Sequence, residues 1–264
     1  RMLNSRYQEA VVWAERALAL AHDALEARVH ALNNLGATRL MTGQTGGEAL
    51  LLESLALAKT GGFHEQAARA YTNLCATMVA QCRYKEAQSF CSEGLSFDRD
   101  HDLDSWTYYL LGLYAQLCVE RGEFAQAISL AQEALAVPSQ TPVMRWPPSL
   151  ALGLARSRSG GADALVILEE CLATALAVGE AQLILPTCRA LAEAHWLRED
   201  LAQARDVVTL GWSHRSHADD PWLTGPLMVW AYRLGLSLDA EPSVPEIFQW
   251  EMNWQFLPIR SDGS

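Results

Sequence analysis

The sequence predicts an all-α fold, a solenoid of antiparallel helix pairs that repeats about every 39 residues. Three observations predict it: a recurring residue pair, small residues at helical spacing, and a composition that favours helices. The recurring pair is a large apolar or aromatic residue followed by a small one, and the small members lie 39, 40, 38, 39 and 39 positions apart. Its six copies are Leu35-Gly36, Leu74-Cys75, Tyr114-Ala115, Leu152-Gly153, Leu191-Ala192 and Trp230-Ala231.

The first element of each unit is a helix, here called helix A, which carries the recurring pair. Seven positions after the small residue, a second punctuating residue follows in most units and predicts a short turn. These turn residues are Gly43, Cys82, Gly122 and Gly160, with Glu199 as the exception.

The second element, helix B, carries two small residues seven positions apart. Positions seven apart lie on one face of a helix, so small residues there allow a neighbouring helix to approach closely. The pairs are Ala10/Ala17, Ala49/Ala56, Ala87/Gly94, Ala127/Ala134, Ala164/Cys171 and Ala204/Gly211.

Two amphipathic helices cannot bury both of their faces alone, so each pair needs the next one. The chain is rich in alanine, leucine, glutamate and arginine, which are good helix formers. We therefore expect one repeat domain over residues 1–241, with about six units of which the first is partial, and an irregular tail or cap over residues 242–264.

The units resemble tetratricopeptide repeats. The best copies are NNLGATRLMTG (33–43), YTNLCATMVAQCRYKEAQSFCSEGL (71–95) and ERGEFAQAISLAQEAL (120–135), and Tyr84 and Phe124 take the place of the turn aromatic. The unit departs from the common length of about 34 residues, and Cys75 and Ala192 replace the first glycine. The resemblance covers roughly residues 5–236 and implies a right-handed superhelix whose A helices line a concave groove.

A narrower resemblance concerns the helical region of large bacterial LuxR-type ATPase regulators. It is carried by the long period and by segments such as RYQEAVVWAERALALA, LNNLG…LLLESLALAKTGG and EGLSFDRDHDLDSWTYYLLGLYAQL. The resemblance implies a nucleotide-binding domain before the repeats and a helix-turn-helix domain after them. Because Arg1 precedes Met2 and the first unit has only its second helix, we expect the chain to be a piece of such a longer protein.

The charge and hydropathy of the chain exclude several classes of partner. The net charge of −11 disfavours direct binding of nucleic acid, which needs a concentrated basic face. The sequence has no apolar run long enough for a membrane span, and its first residues lack the apolar core of a signal peptide. We expect a cytoplasmic protein.

The six cysteines lack paired C-x-x-C spacing, and several of them occupy small-residue positions of the repeat. We interpret them as buried free thiols that act as small apolar side chains, as in a reducing cytoplasm. Two acidic or histidine-rich segments, SHRSHADD (213–220) and DRDHDLD (98–104), are interpreted as polar loops between helices rather than metal sites.

Motifs of enzymes are missing from the sequence. There is no G-x-x-x-x-G-K, G-x-S-x-G or H-E-x-x-H, and Lys59 and Lys85 are the only lysines. We expect no catalysis, no cofactor and no metal.

Binding of a partner or ligand is therefore the expected function, and the groove is the expected place for the binding site. The candidates on helix A lie three and six positions before the small residue, or one and four positions after it. A repeated asparagine two positions before the small residue is added, because its amide can bond a peptide backbone. In the alternative interpretation, those asparagines bond neighbouring helix ends. The candidates are His30, Asn33, Asn34, Arg69, Thr72, Asn73, Tyr109, Gln116, Arg189 and Glu193.

The tail is the other irregular feature. Its apolar residues, among them Trp250 and Trp254, either cap the last unit, dock into the groove or continue into further sequence. Most other tryptophans are expected to pack between units.

Two interpretations remain for the function. The first is the sensor and interaction region of a LuxR-type ATPase regulator, which binds an effector or a protein segment in its groove. The second is a free-standing tetratricopeptide adaptor that mediates protein–protein interaction by holding a peptide of another protein.

Overall fold

A computed structural model describes residues 7–21, 24–137, 140–215, 220–238 and 244–254. Within these ranges the chain forms thirteen α-helices and no strand, so the all-α prediction is confirmed. The helices are Tyr7–Leu20 (α1), Leu25–Met41 (α2), Gly47–Gly61 (α3), His64–Ala80 (α4), Tyr84–Asp100 (α5), Asp104–Glu120 (α6), Phe124–Leu135 (α7), Pro142–Arg158 (α8), Ala164–Val178 (α9), Ala181–Trp196 (α10), Leu201–Ser213 (α11), Pro221–Arg233 (α12) and Glu246–Trp254 (α13).

The helices pack in two alternating sets. Each even-numbered helix from α2 to α10 packs against the odd-numbered helix that follows it, and from α2 to α12 each even-numbered helix also contacts the next even-numbered one. The even-numbered helices are the predicted A helices and the odd-numbered ones up to α11 are the predicted B helices. The even-numbered helices α2 to α12 therefore form a continuous row, which we call the inner row.

The turn residues predicted from the spacing adopt left-handed backbone conformations. Gly43, Gly122 and Gly160 have φ of 71°, 78° and 77°, and the two replacements, Cys82 and Glu199, have φ of 58° and 63°. Glycine is the residue that adopts this region without strain, which explains its use at three of the five positions. The same backbone conformation is thus kept where the side chain differs.

Small residues of the repeat mark the places where helices approach closely. A Cβ atom added to Gly36 of α2 would lie 2.7 Å from the carbonyl oxygen of Gly47, and one added to Gly47 would lie 2.6 Å from the carbonyl oxygen of Gly36. Because the obstacle in each case is backbone, α2 and α3 pack at this distance only with glycine on both sides.

Large apolar side chains fill the space between the helices. Each fully buried leucine contributes about 1.5–3 kcal/mol relative to an exposed one. The leucines with the least exposure are Leu51, Leu74, Leu110, Leu111, Leu117, Leu154, Leu168, Leu185, Leu191 and Leu227.

The first and last parts of the inner row meet. Helix α12 contacts α2, and the hydroxyl of Tyr7 in α1 donates a hydrogen bond to Asp220 immediately before α12, with an oxygen–oxygen distance of 2.7 Å. Near this contact, a Cβ atom added to Gly43 would lie 3.7 Å from the ring of Pro221. The described helices therefore close on themselves.

The tail contains a further helix, α13, which packs against α12. Phe248 of α13 is 6 % exposed, and its ring lies 6.0 Å from that of Trp222 and against Gly225. The tail helix thus lies on the last described helix of the inner row. Residues 239–243 and 255–264 lie outside the described residues.

The cysteine prediction is wrong for one pair. Cys75 of α4 and Cys91 of α5 form a disulfide with a Cα–Cα distance of 5.7 Å, whereas Cys82 is a half-buried free thiol. The small-residue position of Cys75 faces the partner helix, as the repeat predicts, and that closeness allows the bond. The remaining free cysteines, Cys118, Cys171 and Cys188, are buried.

A search of the described helices for membrane spans finds none of sufficient length and apolar character.

Candidate functional site

The ten predicted groove residues divide among three environments. Some line an open cleft near the N-terminal end, some lie at a central cavity, and some are buried between helices or lie apart from both spaces.

The N-terminal cleft has a volume of about 720 Å³ and lies between α1, α2 and α4. Three of the predicted residues, His30, Asn34 and Arg69, line it. Its other lining residues are Ala10, Trp13, Ala14, Ala17, Glu26, Ala27, Ala31 and Gln66. Alanines thus form the floor on α1, and polar groups from α2 and α4 stand opposite.

Arg69 lies on the polar side of this cleft. Its Nη1 is 3.4 Å from Nδ1 of His30, and the same His30 nitrogen is 3.3 Å from Oε1 of Gln66. In one tautomer Nδ1 of His30 carries the proton and donates a hydrogen bond to Gln66. In the other tautomer Nδ1 accepts a hydrogen bond from Arg69. Burial lowers the pKa of the Arg69 guanidinium. Among the described residues, no carboxylate lies within 4.0 Å of it.

Asn33 and Thr72, three positions before the small residue, do not face a groove. Asn33 is fully buried and its Oδ1 accepts a hydrogen bond from Nδ2 of Asn73 at 2.6 Å, while Thr72 is 5 % exposed. Asn33 thus lies between α2 and α4, and the burial of both Asn33 and Thr72 assigns their side chains to packing rather than to an open groove. Asn73 is engaged in the same contact, so its amide bonds the middle of a neighbouring helix and not a helix end, which is where the alternative interpretation places the bond.

The central cavity has a volume of about 180 Å³ and is lined by side chains of seven helices, α4, α5, α6, α8, α10, α12 and α13. Two predicted residues, Gln116 and Arg189, line it. Polar groups from Cys82, Tyr84 and Glu120 join them, and the apolar lining includes Trp146, Leu150, Leu154, Leu185, Pro226 and Phe248.

The charges beside this cavity are paired with one another in what we call the ion cluster, formed by Glu120, Arg158, Arg189 and Glu193. Arg189 Nη2 lies 2.8 Å from Glu120 Oε1, and Arg158 Nη1 lies 3.8 Å from Glu120 Oε2. Arg158 also makes two bonds to Glu193, Nε–Oε1 at 2.5 Å and Nη2–Oε2 at 3.0 Å. The predicted residues Arg189 and Glu193 are therefore paired with other charged side chains of the protein.

The pKa directions in the cluster show that the attraction exceeds the cost of burial. Burial alone would raise the pKa of Glu120, but the charges of Arg189 and Arg158 hold it below its usual value. Burial likewise lowers the pKa of Arg189, and Glu120 and Glu193 raise it to a higher net value. Glu120, Arg158 and Arg189 therefore remain ionised at neutral pH.

Tyr84 and Cys82 form the uncharged polar part of the cavity lining. Burial raises the pKa of the Tyr84 hydroxyl well above its usual range, and the hydrogen bond with Cys82 adds to the shift. Burial also raises the pKa of the Cys82 thiol. Both groups are therefore protonated and neutral at physiological pH.

Gln116 and Tyr109 lie differently on α6. The Nε2 atom of Gln116 donates a hydrogen bond of 3.2 Å to the carbonyl oxygen of Pro147, which fixes the amide at the cavity wall. Tyr109 is half-buried and lines neither space; burial first, and the charge of Glu180 second, raise its pKa to about 12.

Sequence reasoning missed Glu120 and Arg158. Both stand five positions after the small residue of their helix, one turn beyond the predicted position at which Gln116 and Glu193 lie. An α-helix brings such positions to one face, so charged residues of opposite sign at this offset were the signal. Phe248 had no comparable signal because it reaches the inner row from outside the period.

The segments weighed as metal sites do not converge within the described residues, where no group of three or more candidate ligands occurs. Asp98 is buried in α5, Asp102 is a left-handed turn residue with φ of 55°, and Asp104 begins α6. His214 is exposed and its Nδ1 is 3.0 Å from the carbonyl oxygen of Leu210. His217 and Asp219 lie outside the described residues.

The fold and the two spaces define an all-helical protein of packed helix pairs with an open cleft and a central cavity. Neither the protein-family models nor the curated proteins contain a match to the chain. Among solved structures, the chain is similar to BtubC (BKLC) from P. vanneervenii, with a TM-score of 0.57 and 18 % sequence identity over 91 % of this chain and 97 % of that chain. At this identity the likeness concerns the helical fold alone.

Proposed function

We propose that the protein is a non-catalytic binding scaffold of the tetratricopeptide-like solenoid type, and that its N-terminal cleft holds a protein segment carrying a carboxylate. The observation that carries the proposal is Arg69, a half-buried guanidinium that faces the cleft with no carboxylate partner among the described residues.

The architecture supports the scaffold part of the proposal. Inner helices contact inner helices in sequence, and the left-handed turn residues recur at the spacing of the units. In stacked arrays of this kind, the inner row presents binding surface.

The chemistry of the cleft supports the carboxylate. A guanidinium that has lost part of its water gains most from a charge-assisted, two-point bond, which a carboxylate provides. Asn34 and His30 stand beside it and can bond the backbone of a segment, and the alanines and Trp13 on α1 provide apolar contact. The volume of about 720 Å³ suits several side chains rather than a single ion.

The biological setting of this scaffold rests on the sequence resemblance. We propose the helical region of a LuxR-type ATPase regulator, with a free-standing adaptor as the alternative; the full open reading frame separates them. A cytoplasmic location belongs to the same proposal, and the Cys75–Cys91 disulfide, of a kind rare in cytosolic proteins, makes the thiol content of the purified chain a test of it.

The binding experiment uses decapeptides selected from a random displayed library against the intact chain. Each selected peptide is synthesised in two forms, with its carboxylates intact and with every carboxylate replaced by a carboxamide, and affinity is measured by fluorescence polarisation. We expect the carboxamide form to bind about 10–100-fold more weakly, as a charge-assisted bond of about 1.5–3 kcal/mol requires.

The matched variants are Arg69→Gln and Arg99→Gln, the latter removing an exposed arginine of α5 that does not line the cleft. Arg69→Gln should abolish the difference between the two peptide forms, and Arg99→Gln should preserve it. Equal affinity of both forms for the unaltered protein, or an undiminished difference in Arg69→Gln, would refute the carboxylate assignment.

A further inference from the structure

The central cavity is a second space with its own chemistry, separate from the N-terminal cleft. Its volume of about 180 Å³ exceeds the roughly 150 Å³ at which an apolar protein cavity takes up benzene. It falls below the roughly 300–1,000 Å³ of sites for larger ligands. Its size therefore selects a molecule close to a substituted benzene.

The charges at its wall select against an ionic ligand. Arg189, the cation that lines the cavity, is 2.8 Å from Glu120, and Arg158 and Glu193 complete a cluster without net charge. An anion would have to displace Glu120 from Arg189 or lie beside its carboxylate, and separating the partners of a largely buried ion pair is strongly unfavourable. A neutral molecule leaves the cluster intact.

The remaining lining determines the rest of the ligand. Trp146, Leu150, Leu185 and Phe248 supply apolar and aromatic surface against which a ring can pack. Tyr84 supplies a hydroxyl that stays protonated, and a ligand oxygen can replace the weakly accepting Cys82 sulfur as the partner of that O–H group. A ligand with one acceptor atom satisfies both kinds of lining.

We propose that the central cavity is a binding site for a small neutral molecule with an aromatic or alicyclic body and one hydrogen-bond acceptor, which the hydroxyl of Tyr84 serves. This site goes beyond the proposed function, because it shares no lining residue with the N-terminal cleft.

Three probes of equal size test the proposal: acetophenone, which is neutral and has an acceptor, isopropylbenzene, which has none, and benzoate, which is charged. All three have the same number of non-hydrogen atoms. Dissociation constants are measured by ligand-detected NMR titration of the full chain. We expect acetophenone to bind about three- to tenfold more tightly than isopropylbenzene, the range expected of one hydrogen bond, and benzoate to bind most weakly.

Tyr84→Phe removes the hydroxyl and keeps the ring, so it should remove the preference for acetophenone over isopropylbenzene. Tyr232→Phe, at an exposed tyrosine of α12, is the matched control and should keep it. Ala80→Phe, at an exposed residue that also lines the cavity, fills the space without enlarging a buried side chain and should abolish binding of both neutral probes.

The proposal is overturned if acetophenone shows no saturation at about 10 mM, if benzoate binds more tightly than acetophenone, if the Tyr84→Phe chain keeps the preference, or if the Ala80→Phe chain binds the neutral probes unchanged. Arg69→Gln leaves the central cavity untouched, so acetophenone should bind this variant as it binds the original chain. A failure of peptide binding and a failure of acetophenone binding are thereby distinguished.

Discussion

The hydroxyl of Tyr7 donates a hydrogen bond of 2.7 Å to Oδ2 of Asp220, although the two residues are 213 positions apart in the chain. The other carboxylate oxygen of Asp220 accepts a hydrogen bond from the backbone N–H of Leu223 at 3.0 Å, which caps α12. One buried side chain thus begins α12 and ties it to α1. Local structure and long-range closure depend on the same carboxylate.

We predict that Tyr7→Phe weakens this closure. The variant leaves a buried carboxylate without one of its donors, and a hydrogen bond to a charged group contributes about 1.5–3 kcal/mol. The loss should appear in urea denaturation as a lower midpoint, whereas Tyr232→Phe, at an exposed tyrosine, should stay close to the original chain. Equal midpoints for the two variants would argue that the hydrogen bond does not hold the ends together.

The second prediction concerns Asp98 of α5. Asp98 is fully buried and neither carboxylate oxygen has a hydrogen-bond partner among the described residues. Burial raises its pKa to about 7, although the charge of His101 acts in the opposite direction. The corresponding residues of α3 and α9, four positions before the left-handed residues Gly62 and Gly179, are the buried alanines Ala58 and Ala175.

Asp98→Ala should therefore stabilise the protein at pH 8, by up to a few kcal/mol. Because the pKa of Asp98 is higher in the folded than in the unfolded chain, the folded state holds more protons between about pH 4 and pH 7. Stability from this group is greatest below pH 4 and falls as the pH rises to 7. The variant should lose that fall in denaturation midpoints measured from pH 4 to 8, while Asp100→Ala, at an exposed neighbour, should keep it.

The third prediction concerns Glu120 and Arg189 in the ion cluster. Arg189→Met leaves Glu120 with Arg158 at 3.8 Å as its remaining cation, so we expect a loss of about 3 kcal/mol in the free energy of unfolding. Replacing Glu120 by Gln in the same chain should recover much of that loss. Additive losses in the double variant would contradict direct coupling.

The exposed pair Arg28–Glu53, at 2.8 Å, provides the control for this cycle. Exposed ion pairs contribute at most about 1 kcal/mol and weaken in salt. The coupling of Glu120 with Arg189 should therefore be larger and should persist in high salt.

The fourth prediction concerns the cysteines. The denatured chain without reductant should titrate four thiols, and the reduced chain all six. In the folded chain the half-buried Cys82 should react first. The loss of the Cys75–Cys91 bond, which spans 16 residues, should cost about 3 kcal/mol of stability. Six thiols in the purified, unreduced chain would mean that the pair is reduced, as the sequence interpretation expects of a cytoplasmic protein.

The helices and the turns between them could be predicted from the sequence because they depend on the spacing of residues that are close together in the chain. Gly43, Gly122 and Gly160 lie in the turns between helices, seven positions after the small residue of helix A. Glycine adopts the left-handed conformation of such turns without strain, so the position of each turn was predictable. The same interval leads to Cys82, which the pattern included, and to Glu199, which it gave as the exception; both adopt the conformation without the side chain that favours it. Helix existence and turn position were predictable from these patterns.

The site was predicted less completely because its residues are selected by contacts across the fold. Counting positions along helix A placed Gln116 and Arg189 near a common space, but it placed Asn33 and Thr72 there as well. Whether an offset faces the interior of the row or the neighbouring helix depends on how the helices are rotated. The docking of Phe248 likewise has no local signature.

The meeting of α2 and α12 has a consequence for the number of helix pairs. An open array can gain or lose a pair because each pair touches only its neighbours. In this chain an inserted pair would move Pro221 away from Gly43 by about the 8–10 Å that separates packed helices. The contact between α2 and α12 therefore limits the number of helix pairs. Duplication of a unit would separate these two helices and disrupt the central cavity.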